Sequence, residues 1–169
     1  PVFTAPAVAI QTVFALTYSV TDSKGCISAS SKNITVNPNP SAAIAPASPA
    51  EQCAGGVIAL NGTPTGGTGA YTHLWSGTGS ANLSALNTVN PNYTAPSIAA
   101  QAIYGLTYRV TDSKGCIATN SISVTVNPNI TSGITPVAAT ELCTGGTVNL
   151  SGNRGGGTAS FTHLWTGTG

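Results

Sequence analysis

The chain has 169 residues, of which only 5% are charged, and its five basic and four acidic side chains give a formal net charge of +1. This balance excludes a basic nucleic-acid-binding surface and a polybasic membrane-binding patch. Hydrophobic residues make up 41% of the chain, enough for a packed core, and no apolar run approaches the ~18 residues of a membrane-spanning segment. We therefore expect no nucleic-acid partner and no membrane insertion.

The most informative feature of the sequence is an internal repeat with a period of 90 residues. Residues 1–79 align without a gap to residues 91–169, and about half of the aligned positions are identical. The segment LTYSVTDSKGC, which ends at Cys26, returns as LTYRVTDSKGC, which ends at Cys116. A period of this length matches one small domain rather than one turn of a solenoid, so it predicts a tandem array of domains.

The motif VNPN occurs once in each repeat. Proline has no N–H to donate within a sheet, so the motif predicts the end of a strand and a boundary between domains. We predict one complete domain at residues 38–127. Residues 1–37 are then the C-terminal part of a preceding domain, and residues 128–169 the N-terminal part of a following one. Together these parts lack only the equivalent of residues 80–90. Either the chain is a window onto a longer polypeptide, or separate copies associate head to tail and complete a shared domain.

Within the complete domain the local pattern is that of β-strands. Leu106, Tyr108 and Val110 alternate with polar residues, as on the half-buried face of a strand, and a second alternating run ends at Val126. The DSKG sequence between the two runs is typical of a hairpin turn. About six or seven short strands in each repeat predict an all-β fold of tandem antiparallel β-sandwiches of the Ig-like type.

Four aromatic residues are predicted to fill the cores of these sandwiches. In Ig-like folds a tryptophan on the third strand packs in the core, and Trp75 and Trp165 fall where that strand should be. Tyr18 and Tyr108 lie on the apolar faces of the two late hairpins. We expect both tryptophans to be nearly fully buried, with the tyrosines in the same cores.

Two cysteines per repeat suit an oxidising exterior better than the cytosol. The disulfide candidates are Cys26, Cys53, Cys116 and Cys143. Three arrangements are open: a bond from Cys53 to Cys116 inside one domain, bonds between consecutive domains, or free thiols. In the second arrangement Cys53 pairs with a neighbouring copy of Cys26, and Cys143 with a neighbouring copy of Cys116. An Ig-like topology favours it, because the two cysteines of one domain would lie roughly 20 Å apart, whereas a disulfide needs Cα atoms within about 7 Å.

Residues with catalytic or metal-binding chemistry are scarce. The acids fall two to a repeat, at Asp22, Glu51, Asp112 and Glu141, and the histidines, His73 and His163, stand beside the tryptophans. General acid–base catalysis needs a converging pair, and calcium or zinc needs several clustered ligands. We therefore predict no catalytic residue, no cofactor and no metal site.

Several spaced motifs of the complete domain resemble a known repeat class. They are CAGG at Cys53, GGTGAYTHLW ending at Trp75, and TDSKGC ending at Cys116. Their combination is similar to the PKD-like or Ig-like repeats of secreted Bacteroidota surface proteins, which include large gliding-motility adhesins and cargo of the type IX secretion system. The resemblance implies an Ig-like fold, secretion to the cell surface, and service as stalks, spacers or occasional glycan binders.

These observations predict a non-catalytic structural protein rather than an enzyme. It would be a repeat segment of an extracellular filament or adhesin stalk, with copies of itself as partners, joined head to tail. The alternative is a module that binds glycans or another cell surface through exposed aromatic side chains. The aromatic residues left over for that purpose are Phe3, Phe14, Tyr93 and Tyr104.

Overall fold

The computed structural model describes residues 1–47, 50–135 and 141–167. These residues form twelve β-strands and one short 3₁₀ turn, Ser80–Asn82, with no α-helix among them. In chain order the strands are β1 (Thr12–Thr21), β2 (Ile27–Val36), β3 (Pro40–Ala45), β4 (Ala50–Cys53), β5 (Val57–Ala59), β6 (Asn61–Gly66), β7 (Thr72–Ser76), β8 (Asn92–Thr94), β9 (Ala102–Thr111), β10 (Ile117–Asn127), β11 (Ile130–Thr135) and β12 (Ser151–Gly156). The prediction of an all-β chain is confirmed. None of the described segments is a helix of the length and apolarity needed to cross a membrane.

The middle of the chain is organised around a four-stranded sheet with the order β4-β10-β9-β7. Strands β9 and β10 form a long antiparallel hairpin, and β7 adds to β9 in antiparallel register. On the other edge β4 runs parallel to β10, so that Ala50 lies opposite Val124 and Cys53 opposite Asn127. The alternating apolar residues of β9 and β10 all project from one face of this sheet, because successive side chains of a strand point to opposite faces.

Two smaller antiparallel pairs, β3 with β6 and β5 with β8, supply the rest of the core. Backbone bonds extend the second pair: Leu60 N donates to Pro91 O at 3.0 Å, and Gly62 N to Val89 O at 2.9 Å. The buried side chains of all these strands form one cluster, made of Ile44, Ala50, Ala54, Leu60, Trp75, Tyr93, Ala95, Leu106, Tyr108, Val110, Ile122, Val124 and Val126. This cluster lies entirely between residues 44 and 126.

The strands outside this range form two isolated pairs, β1 with β2 and β11 with β12. The residue pairing in each is the same as in the middle region, at positions 90 residues away. Tyr18 lies opposite Ser30 as Tyr108 lies opposite Asn120, and Ile134 lies opposite Gly152 as Ile44 lies opposite Gly62. Each pair has an apolar face that is open to solvent.

Two of the four aromatic residues predicted for the cores are not buried in this chain. Trp165 is 54% exposed and Tyr18 is 72% exposed, whereas Trp75 and Tyr108 are 1% and 0% exposed. The physical reason is that neither residue has a facing layer of strands in the described part of the chain. Tyr18 lies on β1, where Phe3 packs against Phe14, and Trp165 lies in a segment without regular secondary structure beside Gly152 of β12. Trp75 and Tyr108, by contrast, cover each other.

Candidate assembly surfaces

The aromatic centre of the middle region joins the β9–β10 hairpin to the other strands. The rings of Trp75 and Tyr108 lie 4.8 Å apart, centroid to centroid. The Trp75 indole donates to Thr88 O at 2.9 Å, and the Tyr108 hydroxyl lies 2.7 Å from His73 Nδ1. Beneath the tyrosine, a Cβ on Gly62 would come within 2.5 Å of Tyr108 Cζ, so only glycine fits there. The fit between hairpin and strands is therefore specific in shape and in hydrogen bonding.

The turn of the same hairpin is held by one carboxylate. Asp112 Oδ1 accepts from the backbone N–H groups of Lys114 at 2.9 Å and Cys116 at 2.8 Å, as an Asp at the start of a turn does. Its Oδ2 accepts from Thr68 N at 2.8 Å, and Ser113 N donates to Thr68 O at 3.2 Å. Burial by itself acts to raise the pKa of Asp112, but these N–H donors, led by Thr68, outweigh it and leave the pKa below its usual value. The carboxylate thus fastens the turn to the loop after β6.

The turn of the first hairpin has the same internal bonds and lacks the external one. Asp22 Oδ1 accepts from Cys26 N and Lys24 N, both at 2.8 Å, and these bonds lower the pKa of Asp22. No described residue donates to Asp22 Oδ2, the oxygen that corresponds to the one Thr68 binds. The turn is preformed, and one of its acceptors faces outward.

The open face of the β1–β2 hairpin is the counterpart of a face that is buried in the middle of the chain. On β9, Leu106, Tyr108 and Val110 are all 0% exposed. The residues 90 positions earlier, which have the same side chains, are exposed by 40% at Leu16, 72% at Tyr18 and 50% at Val20. This face has the chemistry of a core without a partner layer.

The open face near the C-terminal end of the chain is the counterpart of the strands that pack against the β9–β10 hairpin in the middle region. Ile44, Leu60 and Trp75 are 8%, 2% and 1% exposed, whereas Ile134, Leu150 and Trp165 are 52%, 52% and 54% exposed. A groove of about 280 Å³ runs along this face and is lined by Ile130, Ile134, Gly152, Arg154, Phe161 and Trp165 among others. The indole of Trp165 rests 3.4 Å from the Cβ position of Gly152, the place that the tyrosine ring takes above Gly62.

The four cysteines are free thiols in this structure. Cys53 lies opposite Asn127 at the end of β10, and Cys116 comes just before β10 begins. The 11 residues of that strand put the two cysteines about 35 Å apart, because each residue of a strand advances the chain by about 3.3 Å. A bond between Cys53 and Cys116 of one domain is therefore excluded by the fold.

The acids and histidines of the middle region lie apart from one another or are already engaged by neighbours. Glu51 Oε1 accepts from Asn127 Nδ2 at 2.6 Å, far along the domain from Asp112, and His73 is engaged by Tyr108. In the described part of the chain no three His, Cys, Asp or Glu side chains gather closely enough to hold a metal ion.

Two residues that shape these surfaces were missed by the sequence interpretation, Thr68 and Gly62. Thr68 binds a carboxylate 44 positions away, and Gly62 makes room for a ring on another strand. The usable signal was the repeat itself, because Gly62, Gly67 and Thr68 all return 90 residues later, at Gly152, Gly157 and Thr158.

Comparisons with known proteins leave the chain without a family. No protein-family model and no curated protein matches it. Among solved structures it is similar to a nucleoside hydrolase-related hypothetical protein from Saccharophagus degradans that is described as associated with carbohydrate metabolism, with 19% identity and a TM-score of 0.42. The match covers 54% of this chain and 26% of that one, so the chain spans about a quarter of its length. At this TM-score the likeness carries no argument about fold or function.

Proposed function

We propose that this chain is a segment of a non-catalytic structural protein, an extracellular filament or adhesin stalk built from tandem Ig-like or PKD-like β-sandwich domains. The observation that carries the proposal is the complementarity of its two open faces. Each corresponds, residue for residue, to one side of the interface that the middle of the chain closes with itself. The chain thus contains both sides of an interface, one near each end, and the same interface already formed in its middle.

The sandwich interpretation is supported by the distribution of the core. One layer is the four-stranded sheet, and the pairs β3–β6 and β5–β8 contribute Ile44, Leu60 and Tyr93 from the opposite side. Residues 38–127 are then one complete domain. Residues 1–37 supply the late hairpin of the preceding domain, and residues 128–169 supply the early strands of the following one.

Head-to-tail joining follows from the correspondence of the two faces. When residues 1–37 of one copy meet residues 128–169 of another, Tyr18 displaces the Trp165 indole from the place above Gly152, and there it corresponds to Tyr108 above Gly62. Its hydroxyl then reaches His163 as that of Tyr108 reaches His73. Burying such a face stabilises the joint, because exposed apolar surface and unpaired strand edges are unfavourable in water. A contact of this kind continues from copy to copy, so it produces an open polymer.

The joint can be made in two ways: by the continuity of one long polypeptide, or by complementation between separate subunits. An extracellular location is supported by two cysteines per repeat and by the resemblance to secreted surface repeats.

The alternative of a glycan-binding module loses support from the structure. Of the four aromatic residues available for a sugar-binding groove, Tyr93 is fully buried, and Phe14 and Tyr104 are partly covered. The ring of Phe3 packs against Phe14 at 5.8 Å. These four residues form no aromatic platform. The aromatic residues that do line an open groove, Phe161 and Trp165, belong to the face that the next copy would cover in the proposed polymer, which supports the structural role.

Electron microscopy and mass spectrometry test the proposal together. The purified full-length chain, concentrated stepwise, is expected to form long uniform fibres, and isolated globular particles at every concentration would count against the proposal. The mass of the protein from its natural source, measured after denaturation, distinguishes separate subunits from one continuous polypeptide. A mass of 16.7 kDa shows separate subunits, and a mass many times larger shows one continuous array.

A further inference from the structure

We infer that the cleft beside Cys53 is the seat for the Asp22–Cys26 turn of the next copy, and that docking closes a disulfide between Cys53 and that copy's Cys26. The inference rests on the proposed head-to-tail joining and assigns a covalent bond to each junction. It follows from two observations: how the middle domain seats its own turn, and what lines the cleft.

The middle domain provides the template for the seat. There the turn lies on Gly67 and Thr68, with Asp112 Oδ2 accepting from Thr68 N at 2.8 Å. A Cβ on Gly67 would come within 2.9 Å of the same carboxylate oxygen, so the glycine is what allows its close approach. The backbone at Gly67 has a φ of +68°, which glycine adopts without strain.

The cleft reproduces this seat at the next junction. It has a volume of about 470 Å³ and is lined by Cys53, Asn127, Pro128, Asn129, Ile130, Gly157, Thr158 and Phe161. Gly157 has a φ of +71°, nearly that of Gly67, and Thr158 is the counterpart of Thr68. Among the described residues no carboxylate binds Thr158 N. The acceptor that matches it is Asp22 Oδ2, which also lacks a partner in the described chain.

Two local adjustments accompany docking. The Phe161 ring now lies 2.9 Å from the Cβ position of Gly157, so it must swing away to admit the carboxylate. Ala159 stands where the middle domain has Gly69, whose added Cβ would lie 2.7 Å from the serine hydroxyl of the seated turn. Ser23 must therefore take another rotamer. The backbone at Ala159 also differs from that at Gly69, whose φ of +73° is one that alanine rarely adopts.

The seated turn delivers a thiol to the cleft. In the middle domain Cys116 lies directly across the turn from Asp112, whose N–H donates to Cys116 O at 2.9 Å. Cys116 stands directly before β10 and is partly exposed. Cys26 stands in the same relation to Asp22, so seating Asp22 on Thr158 brings Cys26 to the wall formed by Cys53.

This geometry also accounts for the lack of pairing within the chain. Cys53 lies at the end of β10 that leads into the next domain, whereas Cys116 lies at the opposite end, toward the preceding domain. By the same relation Cys143 is the partner of Cys116 in the next copy. All four cysteines are then used, with one bond across each junction.

Bond formation needs an oxidant, here a small-molecule disulfide such as oxidised glutathione. The S–H bonds of Cys53 and Cys26 break, an Sγ–Sγ bond forms, and two protons and two electrons reduce the oxidant to two thiols.

Tryptic mapping of the full-length chain, concentrated in a glutathione redox buffer, tests the inference. Trypsin releases Cys26 in peptide 25–32, Cys53 in peptide 33–109, and Cys116 with Cys143 in peptide 115–154. We expect 25–32 linked to 33–109, and 115–154 linked to a second copy of itself. A link between 33–109 and 115–154, or complete alkylation of all thiols, would overturn the inference. In Cys53→Ser the first link should vanish while the second remains.

A tandem of two full-length copies, joined by a linker with the sequence of residues 80–90, separates failure of the bond from failure of the joint. A blue shift of the Trp165 fluorescence reports that the shared domain has formed. If the shift occurs and Cys53 of the first copy stays unlinked to Cys26 of the second, the disulfide is wrong and the proposed function stands. If the shift is absent, the proposed joining itself is wrong.

Discussion

The ring of Tyr108 stacks on that of His73 at an interplanar angle of 10°, and its hydroxyl lies 2.7 Å from His73 Nδ1. This contact connects two neighbouring strands of the central sheet. It gives the tyrosine hydroxyl a hydrogen-bond partner inside an apolar core. A buried hydroxyl without such a partner would lose its hydration uncompensated. The pair therefore allows a tyrosine at a position that is fully buried.

Removing the indole of Trp75 should strongly destabilise the middle region of the chain, the proposed complete domain. We expect Trp75→Ala to lower the free energy of unfolding by about 3–5 kcal/mol, because it leaves a large cavity and unpairs Thr88 O. The matched variant is Trp165→Ala, at the equivalent position of an open face, which should cost less than about 1 kcal/mol in the isolated chain. Urea titrations followed by circular dichroism measure both, and equal losses would contradict the assignment of the complete domain to residues 38–127.

Tyr93 should tolerate loss of its hydroxyl. Its side chain is fully buried and its hydroxyl has no hydrogen-bond partner within the described structure, while the preceding repeat has Phe3 at the same position. We expect Tyr93→Phe to leave the free energy of unfolding unchanged or to raise it by up to about 1 kcal/mol, whereas Tyr108→Phe, which loses a bond to His73, should lower it by about 1 kcal/mol. A marked loss in Tyr93→Phe would show that this hydroxyl is in fact bonded.

The same tyrosine should make the fold sensitive to alkaline pH. Burial, with a smaller contribution from Tyr104, raises the pKa of Tyr93 from 10.0 to about 12. The folded state therefore holds this proton more tightly than the unfolded state, so stability is lost as the pH rises from about 10 toward 12. Urea titrations across that range should show a smaller decline for Tyr93→Phe than for the unaltered chain. Equal slopes would mean that Tyr93 titrates normally.

The two turn aspartates should differ in their importance to stability. Both have a lowered pKa, so their contributions are present above pH 4 and are lost as the pH falls through the folded-state values. Asp112 also binds Thr68, and Asp22 does not, so Asp112→Asn should destabilise more than Asp22→Asn at pH 7. The difference should shrink as the pH is lowered from 7 to 2, because protonation of the carboxylates removes their contribution. Thermal melts at the two pH values check this, and a larger effect of Asp22→Asn in the isolated chain would contradict it.

Self-association should depend on one face of β1. We expect Tyr18→Asp to abolish association in sedimentation velocity, because it places a charge in the proposed core. Ser19→Asp is the matched control, since Ser19 lies on the same strand and points to the opposite face. Association that survives Tyr18→Asp, or that is lost equally in the control, would show that the chain joins through another surface.

Local pattern was sufficient for the hairpins but not for what they pack against. The alternation at Leu106, Tyr108 and Val110 predicted β9 correctly, because a half-buried strand repeats every two residues. The parallel pairing of Glu51 with Thr125 has no such signal, since those residues are 74 positions apart and β4 is only four residues long.

Burial was the property that the sequence could not supply. Trp165 stands in the same local sequence as Trp75, and Tyr18 in the same as Tyr108, so pattern assigns each pair alike. Whether an indole is covered depends on a facing layer, which is present in one case and not in the other. The seat at Thr68 escaped prediction for a related reason: turn chemistry explains the bonds to Asp112 Oδ1, whereas Oδ2 reaches a distant loop.

The parallel pairing of β4 with β10 bears on how the domain responds to mechanical force. Residues 50–53 belong to the early part of the proposed domain and residues 124–127 are its last four positions. The two segments lie side by side and run in the same direction. Pulling the chain by its two ends draws these segments past each other along their length. The hydrogen bonds between them are then loaded in shear and must yield together, instead of opening one after another as in an unzipping hairpin. In the proposed tandem array, this pairing would make each domain resist stretching by shear.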